Sequence, residues 1–196
     1  MAAMIDTGEF ISEYLTKGFY RFDASEVLSR FDIKAFGTIK KTDATFDTED
    51  PKERYKAYTP AQTVLLRQLL KDISEVYFSD LNHELRFNDM WASANPYTYS
   101  WHNDTLRCWP GFNSNVNCYF DSMDESIGGA LQMHPMVEDY DSIADDSPLI
   151  AEVFPQKFDI IVINQNSTFL HRVRHTEEKR TMLSFAAGFF DFNPVF

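Results

Sequence analysis

Phe158-Asp159-Ile160-Ile161-Val162-Ile163, closed by Asn164-Gln165-Asn166-Ser167-Thr168, is the stretch on which the fold turns. A short β-branched apolar run bounded by a polar turn reads as a core strand rather than a helix. Working outward, Asn115 to Phe120, Ala130 to Met133 and Thr181 to Phe190 have the same character, and so do Met90 to Ala94 and Tyr97 to His102. Asn, Gly, Asp and Pro separate these runs, which is how an all-β layer is written. No internal repeat interrupts them.

The first part of the chain reads differently. Thr59-Pro60 opens the clearest helix, with Thr as N-cap and Pro in the first turn. Val64, Leu65, Leu69, Ile73, Val76 and Tyr77 give it a broad apolar face, widened by Leu66 and Leu70, so it is expected to be well buried. Glu26 to Phe36 has a partly helical spacing. Thr42 to Lys56, polar and holding Pro51, reads as an exposed loop. Helices followed by strands predict an α+β fold: a double-stranded β-helix, the jelly-roll or cupin-like barrel, backed by N-terminal helices. At 196 residues one domain is expected over 1–196, with a helix-rich part at 1–89 and the barrel at 90–196.

Composition narrows the function. The net charge of −12 argues against a nucleic-acid partner, whose phosphates attract Lys and Arg. The acidic cluster Glu138-Asp139-Tyr140-Asp141 with Asp145-Asp146 falls between strand candidates and reads as a solvated loop. The two cysteines, Cys108 and Cys118, do not suggest a secreted disulfide framework, and both are expected to stay thiols. The N-terminus shows no signal-peptide pattern and no apolar run approaches membrane-spanning length, so a soluble, cytoplasmic protein is expected.

Chemistry concentrates in two places: Trp101-His102-Asn103-Asp104, and His171 followed by Arg180. On a strand, His102 and Asp104 project to the same face and can reach one ion. Two imidazoles and a carboxylate on one face of an octahedral metal leave adjacent positions open for co-substrate and oxygen, the pattern of a non-haem Fe(II) site. Alone, His-x-Asp is equally a surface polar pair; His171 supplies the third ligand. Among the other histidines, His134 is the strongest rival ligand, whereas His83 has no evident partner and His175 sits close to Arg180.

His102-Asn103-Asp104, Gly128-Gly129-Ala130-Leu131 and Leu170-His171-Arg172-Val173 with Arg180, in this order, resemble the 2-oxoglutarate- and Fe(II)-dependent dioxygenases. The nearest branch is the prolyl-hydroxylase-like one, in which a strand ending Tyr-Leu-Asn precedes a Gly-Gly turn; here Cys118-Tyr119-Phe120-Asp121 precedes Gly128-Gly129. The resemblance covers about residues 90 to 190. It implies that His102, Asp104 and His171 bind iron and that Arg180 pairs with the distal carboxylate of 2-oxoglutarate, a buried charge that needs a cationic fork. Many members carry a Ser two positions after the Arg, where this chain has Met182; Ser184 lies one strand pair further. The branch often uses a tyrosine to hold the co-substrate, for which Tyr97, Tyr99 and Tyr119 are available, with Asn95 and Asn117 as similar candidates.

The activity implied is hydroxylation of an unactivated C–H bond in a peptidyl residue such as proline, or in a free amino acid. Oxygen is consumed, succinate and carbon dioxide are released, and ascorbate is expected to help. A carboxylate at Asp104, where related halogenases have Gly or Ala, favours hydroxylation. Trp101, Trp109, Phe112 and Tyr97 offer an aromatic wall for substrate, or simply core. The competing readings are a non-catalytic jelly-roll binding or scaffold protein, and a cupin-type metalloenzyme that does not use 2-oxoglutarate.

Overall fold

A computed structural model describes residues 5–36, 59–93, 100–104, 112–176, 178 and 180–190. The helices are α1 (Thr7–Thr16), α2 (Ser25–Leu28), α3 (Ile33–Phe36) and α4 (Pro60–Tyr77). The strands are β1 (Phe19–Asp23), β2 (His83–Ser93), β3 (Ser114–Tyr119), β4 (Leu131–Pro135), β5 (Ala151–Val153), β6 (Asp159–Asn164), β7 (Phe169–Val173) and β8 (Arg180–Phe189). They form a five-stranded sheet in the order β1-β6-β3-β8-β2 and a three-stranded sheet in the order β5-β4-β7, antiparallel throughout. Strand β6, Asp159–Asn164, is therefore a core strand of the larger sheet, as the composition of the 158–163 run predicts, and every residue of it is buried.

Strand alternation divides the larger sheet into two working faces. Val116, Cys118, Ile160, Val162, Leu183, Phe185, Ala187 and Phe189 pack against Phe10 and Tyr14 of α1 and Leu66, Leu69, Ile73 and Tyr77 of α4. From the opposite face, Phe19, Tyr119, Ile161, Ile163 and Met182 meet Leu131, Met133, Val153 and Phe169 of the smaller sheet. Among the described residues the two sheets thus share one apolar layer, and side chains of α1 and α4 join the layer on the other face of the larger sheet. The inter-sheet layer is where the site residues gather.

Helix α4 begins as its sequence dictates. Thr59 Oγ1 accepts from the Gln62 N–H and Gln62 Oε1 accepts from the Thr59 N–H, a reciprocal capping box with Pro60 in the first turn. Its buried face is narrower than the apolar pattern implies. Leu66, Leu69, Ile73 and Tyr77 are buried, while Val64 is 66% and Leu65 41% exposed. The broad face expected of this helix contracts to the stripe that meets the sheet.

Helix α1 and strand β1 carry weaker signals and were not expected. Asp6 caps α1 by accepting from the Glu9 N–H. Tyr14 then fastens the helix to the sheet, its hydroxyl 2.6 Å from Ser114 Oγ, while Asn164 Nδ2 donates to the Tyr14 carbonyl. Strand β1 takes the edge beside β6, so residues before 90 supply a strand as well as helices. The acidic segment at 138–146 is exposed, as expected of a solvated loop. No described helix is long and apolar enough to cross a membrane.

Candidate metal centre

The two ligand histidines meet through the backbone. The His102 N–H donates to the His171 carbonyl and the His171 N–H to that of His102, at 3.0 and 2.9 Å, an isolated antiparallel bridge that stands their rings 4.2 Å apart. Position 102 therefore sits beside the edge of the three-stranded sheet, and the segment 100–104 is not a regular strand. Parity still holds across it. Trp101 turns to the outer face of the smaller sheet, and His102 and Asp104 share the inner side with His171.

Asp104 closes the triangle. Its Oδ1 is 3.6 Å from His102 Nε2 and its Oδ2 3.5 Å from His171 Nε2. One donor atom from each of the three residues lies within 4.8 Å of the others. Adjacent donors on an octahedron with bonds of about 2.1 Å stand about 3 Å apart, so small side-chain rotations bring all three onto one ion. Two imidazoles and a carboxylate are a donor set suited to Fe(II). His102 Nδ1 donates to the Ser100 carbonyl at 2.7 Å, which places the proton on that nitrogen and the lone pair on Nε2.

Burial grades across the centre. His171 is 8% exposed, whereas His102 and Asp104 are 35% and 37% exposed, so the site opens on their side. Burial first, and the neighbouring His102 second, push the His171 imidazole down to about 4, against the pull of Asp104. Near neutral pH the His171 ring is therefore uncharged, so its approach to Asp104 is a contact between two candidate metal ligands and not a salt bridge.

Around this triangle the larger sheet lines up the other residues singled out in the sequence. Asn115, Asn117 and Tyr119 share the inter-sheet face of β3, with Asn117 opposite Ser184 and Tyr119 opposite Met182 on β8. Asn117, Tyr119 and Ser184 are all buried, and Asn117 Oδ1 has no hydrogen-bond partner among the described residues. Arg180 opens β8, opposite Ser93 in β2; its side chain lies outside the described residues, as do Asn95, Tyr97, Tyr99, Cys108 and Trp109.

The rival histidines go elsewhere. His134 is opposite Leu170 in β4, one register step from the Met133–His171 pair, so it occupies the outer face. His83 bridges Ser74 Oγ at 2.6 Å and the Leu81 carbonyl at 2.7 Å, joining α4 to β2. His175 is exposed in the connection between β7 and β8. Of the four residues offered as an aromatic wall, Trp109 and Tyr97 lie outside the described residues; Trp101 is buried beside the His134 ring, with the Arg172 guanidinium 4.4 Å from its centroid, and Phe112 lies under Arg86.

Four residues around the centre were missed in the sequence. Asn103 Nδ2 donates to the carbonyls of Asn166 and Phe169, both at 2.8 Å, tying the His-x-Asp segment to the turn before β7. Gln165 Oε1 accepts from the Asp104 N–H at 3.0 Å, and Gln165 Nε2 donates to Asp104 Oδ2 at 3.3 Å. Asn115 Nδ2 donates to the same oxygen at 2.7 Å. Arg172 Nε donates to Gln132 Oε1 at 2.7 Å while the guanidinium reaches Asp145 at 2.8 Å. Only Asn115 carried a signal, its shared parity with Asn117 and Tyr119.

No protein-family model and no curated protein sequence matches the chain. Solved structures do. A 2OG-Fe(II) oxygenase family oxidoreductase from Burkholderia pseudomallei is 13% identical at a TM-score of 0.56, over 95% of this chain and 93% of its own. HygX from Streptomyces hygroscopicus, solved with nickel, 2-oxoglutarate and hygromycin B, is 14% identical at 0.54, over 95% and 88%. A prolyl 4-hydroxylase from Phytophthora capsici is 18% identical at 0.50, over 95% of this chain, which spans 64% of that longer protein. At these identities the likeness is one of fold: the chain has the fold of the 2-oxoglutarate–Fe(II) oxygenases.

Proposed function

We propose that this protein is an Fe(II)- and 2-oxoglutarate-dependent oxygenase that hydroxylates an unactivated C–H bond. The observation that carries the reading is the convergence of His102, Asp104 and His171 on one point within that fold. Bound there, Fe(II) with oxygen and 2-oxoglutarate supplies the oxidising power, releasing succinate and carbon dioxide.

The chain's own residues do the rest. His171 presents a neutral imidazole, His102 offers its Nε2, and Asp104 would offset part of the metal's charge. Arg180, with its planar fork, is assigned to the distal carboxylate of 2-oxoglutarate. Asn117, Tyr119 and Ser184 are assigned to the co-substrate wall. In support, Asn117 places a buried, unpartnered carboxamide oxygen between the sheets, the kind of group that a bound polar molecule or water satisfies. Met182, next to Tyr119 in register, excludes water from the same space.

The substrate is assigned as a peptidyl residue such as proline, or a free amino acid. The sequence motifs support this, as does the net charge of −12, which favours a neutral or basic substrate over a polyanion. Calorimetric titration of 2-oxoglutarate into Mn(II)-loaded protein tests the co-substrate assignment. Arg180→Met is expected to abolish measurable binding while metal affinity stays unchanged. Undiminished binding would remove Arg180 from the site and favour a metalloprotein that does not use 2-oxoglutarate.

A further inference from the structure

We infer that Asn115 and Gln165 are positioning residues that make Asp104 a one-oxygen metal ligand; the inference rests on the metal-site reading above. The geometry is asymmetric between the two carboxylate oxygens. Oδ2 takes Asn115 Nδ2 at 2.7 Å and Gln165 Nε2 at 3.3 Å, whereas no amide donor among the described residues reaches Oδ1. A carboxylate oxygen has two in-plane lone pairs, and the two N–H donors at Oδ2 are enough in number to take both. Oδ1 is left for the metal.

The two amides come from different elements. Asn115 stands on β3, the middle strand of the larger sheet, and Gln165 follows the end of β6. Gln165 is 3% exposed, and its own backbone N–H donates to the Asn113 carbonyl at 2.8 Å, so its carboxamide projects from a fixed backbone. With its oxygen it also holds the Asp104 N–H, gripping one residue at both backbone and side chain. This matters because 100–104 is an irregular segment with no ladder to orient its carboxylate. His171 is oriented by β7 and His102 by its bridge to His171; Asp104 has these two amides instead.

The consequence for reactivity is in the count of open positions. A carboxylate free to rotate can bind a cation through both oxygens and occupy a further coordination position. Held by Oδ2, Asp104 takes one, leaving three adjacent positions for co-substrate and oxygen. The amide donors also withdraw charge from the carboxylate, so the metal keeps more of its own.

The test uses Co(II), whose visible spectrum reports coordination, bound to the chelator-treated full chain without co-substrate or turnover. Asn115→Thr keeps a strand-forming side chain too short to reach Oδ2. Gln165→Glu keeps the acceptor for the Asp104 N–H but removes the donor to Oδ2. Each is expected to weaken Co(II) binding about 10- to 100-fold and to alter the visible bands, with the melting temperature of the metal-free protein unchanged in Asn115→Thr. Binding within threefold of wild type and an unchanged spectrum in both variants would overturn the inference. So would loss of the fold in both, which would make the amides structural. If wild-type protein itself bound no Co(II), the metal-site reading would fall first, so the two failures are distinguishable.

Discussion

Replacing Arg172 by Met is expected to destabilise the metal-free protein by about 3 kcal/mol, assembled from three contacts of unequal worth. The Nε–Gln132 bond is buried, and losing it orphans Gln132 Oε1, since Gln132 Nε2 is committed to Glu152. An unpaired buried acceptor costs about 1–3 kcal/mol. The guanidinium over Trp101 adds about 0.5–2 kcal/mol. The Asp145 pair adds about 0–1 kcal/mol, because Asp145 is 95% exposed and water screens it. For a chain of this size, each kcal/mol moves the melting temperature by about 2–4 °C, so the drop is about 6–12 °C. Thermal unfolding followed by circular dichroism in chelator reads this directly. Asp145→Ala should lose no more than about 2 °C, and Arg172→Lys, which keeps charge but not the fork, should fall between. A drop below about 2 °C for Arg172→Met, or one matched by Asp145→Ala, would refute the partition.

Gly128→Ala should be severe: at φ +79° an added Cβ would stand 1.9 Å from the His175 carbonyl oxygen. Left-handed strain of about 1–2 kcal/mol and a backbone clash of about 1–3 kcal/mol predict a drop near 3 kcal/mol in urea-unfolding stability. Thr59→Ala removes one half of the α4 capping box and should cost about 1 kcal/mol by the same measurement. The pH dependence follows from His171, whose imidazole burial holds near 4 against an ordinary 6.5. Because the folded-state value is depressed, its stabilising contribution is full above about 6.5 and is lost as pH falls towards 4, where only the unfolded chain takes up the proton; the loss is about 3 kcal/mol in all. Urea titrations of metal-free protein across that range should show a steeper decline in wild type than in His171→Ala, and equal slopes would contradict it.

Much of this fold was legible because strand signals are local. The apolar run at 160–163, the polar turn after it and the Thr59-Pro60 helix start were each readable from a few adjacent residues. What failed depended on partners. Which face of α4 is buried is decided by a sheet distant in sequence, so Val64 and Leu65 appeared as core and emerge exposed. Strand β1 is short and lies at an edge, where its pairing to β6 supplies what its own sequence does not. At the metal centre, His102, Asp104 and His171 were readable because their chemistry is unusual and their order informative. Asn115 and Gln165 were not, since an amide in a strand or turn has many uses and only the structure shows it reaching Asp104. Trp101 misled for a related reason: an aromatic beside a ligand invites a substrate-wall reading, yet alternation turns it to the opposite face, under Arg172.

The most direct test of the central claim is succinate formation. Protein purified without oxygen is supplied with Fe(II), ascorbate and 2-oxoglutarate, exposed to air, and the succinate compared with that from His171→Ala. The account predicts succinate that requires iron and disappears with His171. Equal succinate from wild type and His171→Ala would contradict it, as would a wild-type protein that takes up Fe(II) at this centre yet neither binds nor consumes 2-oxoglutarate.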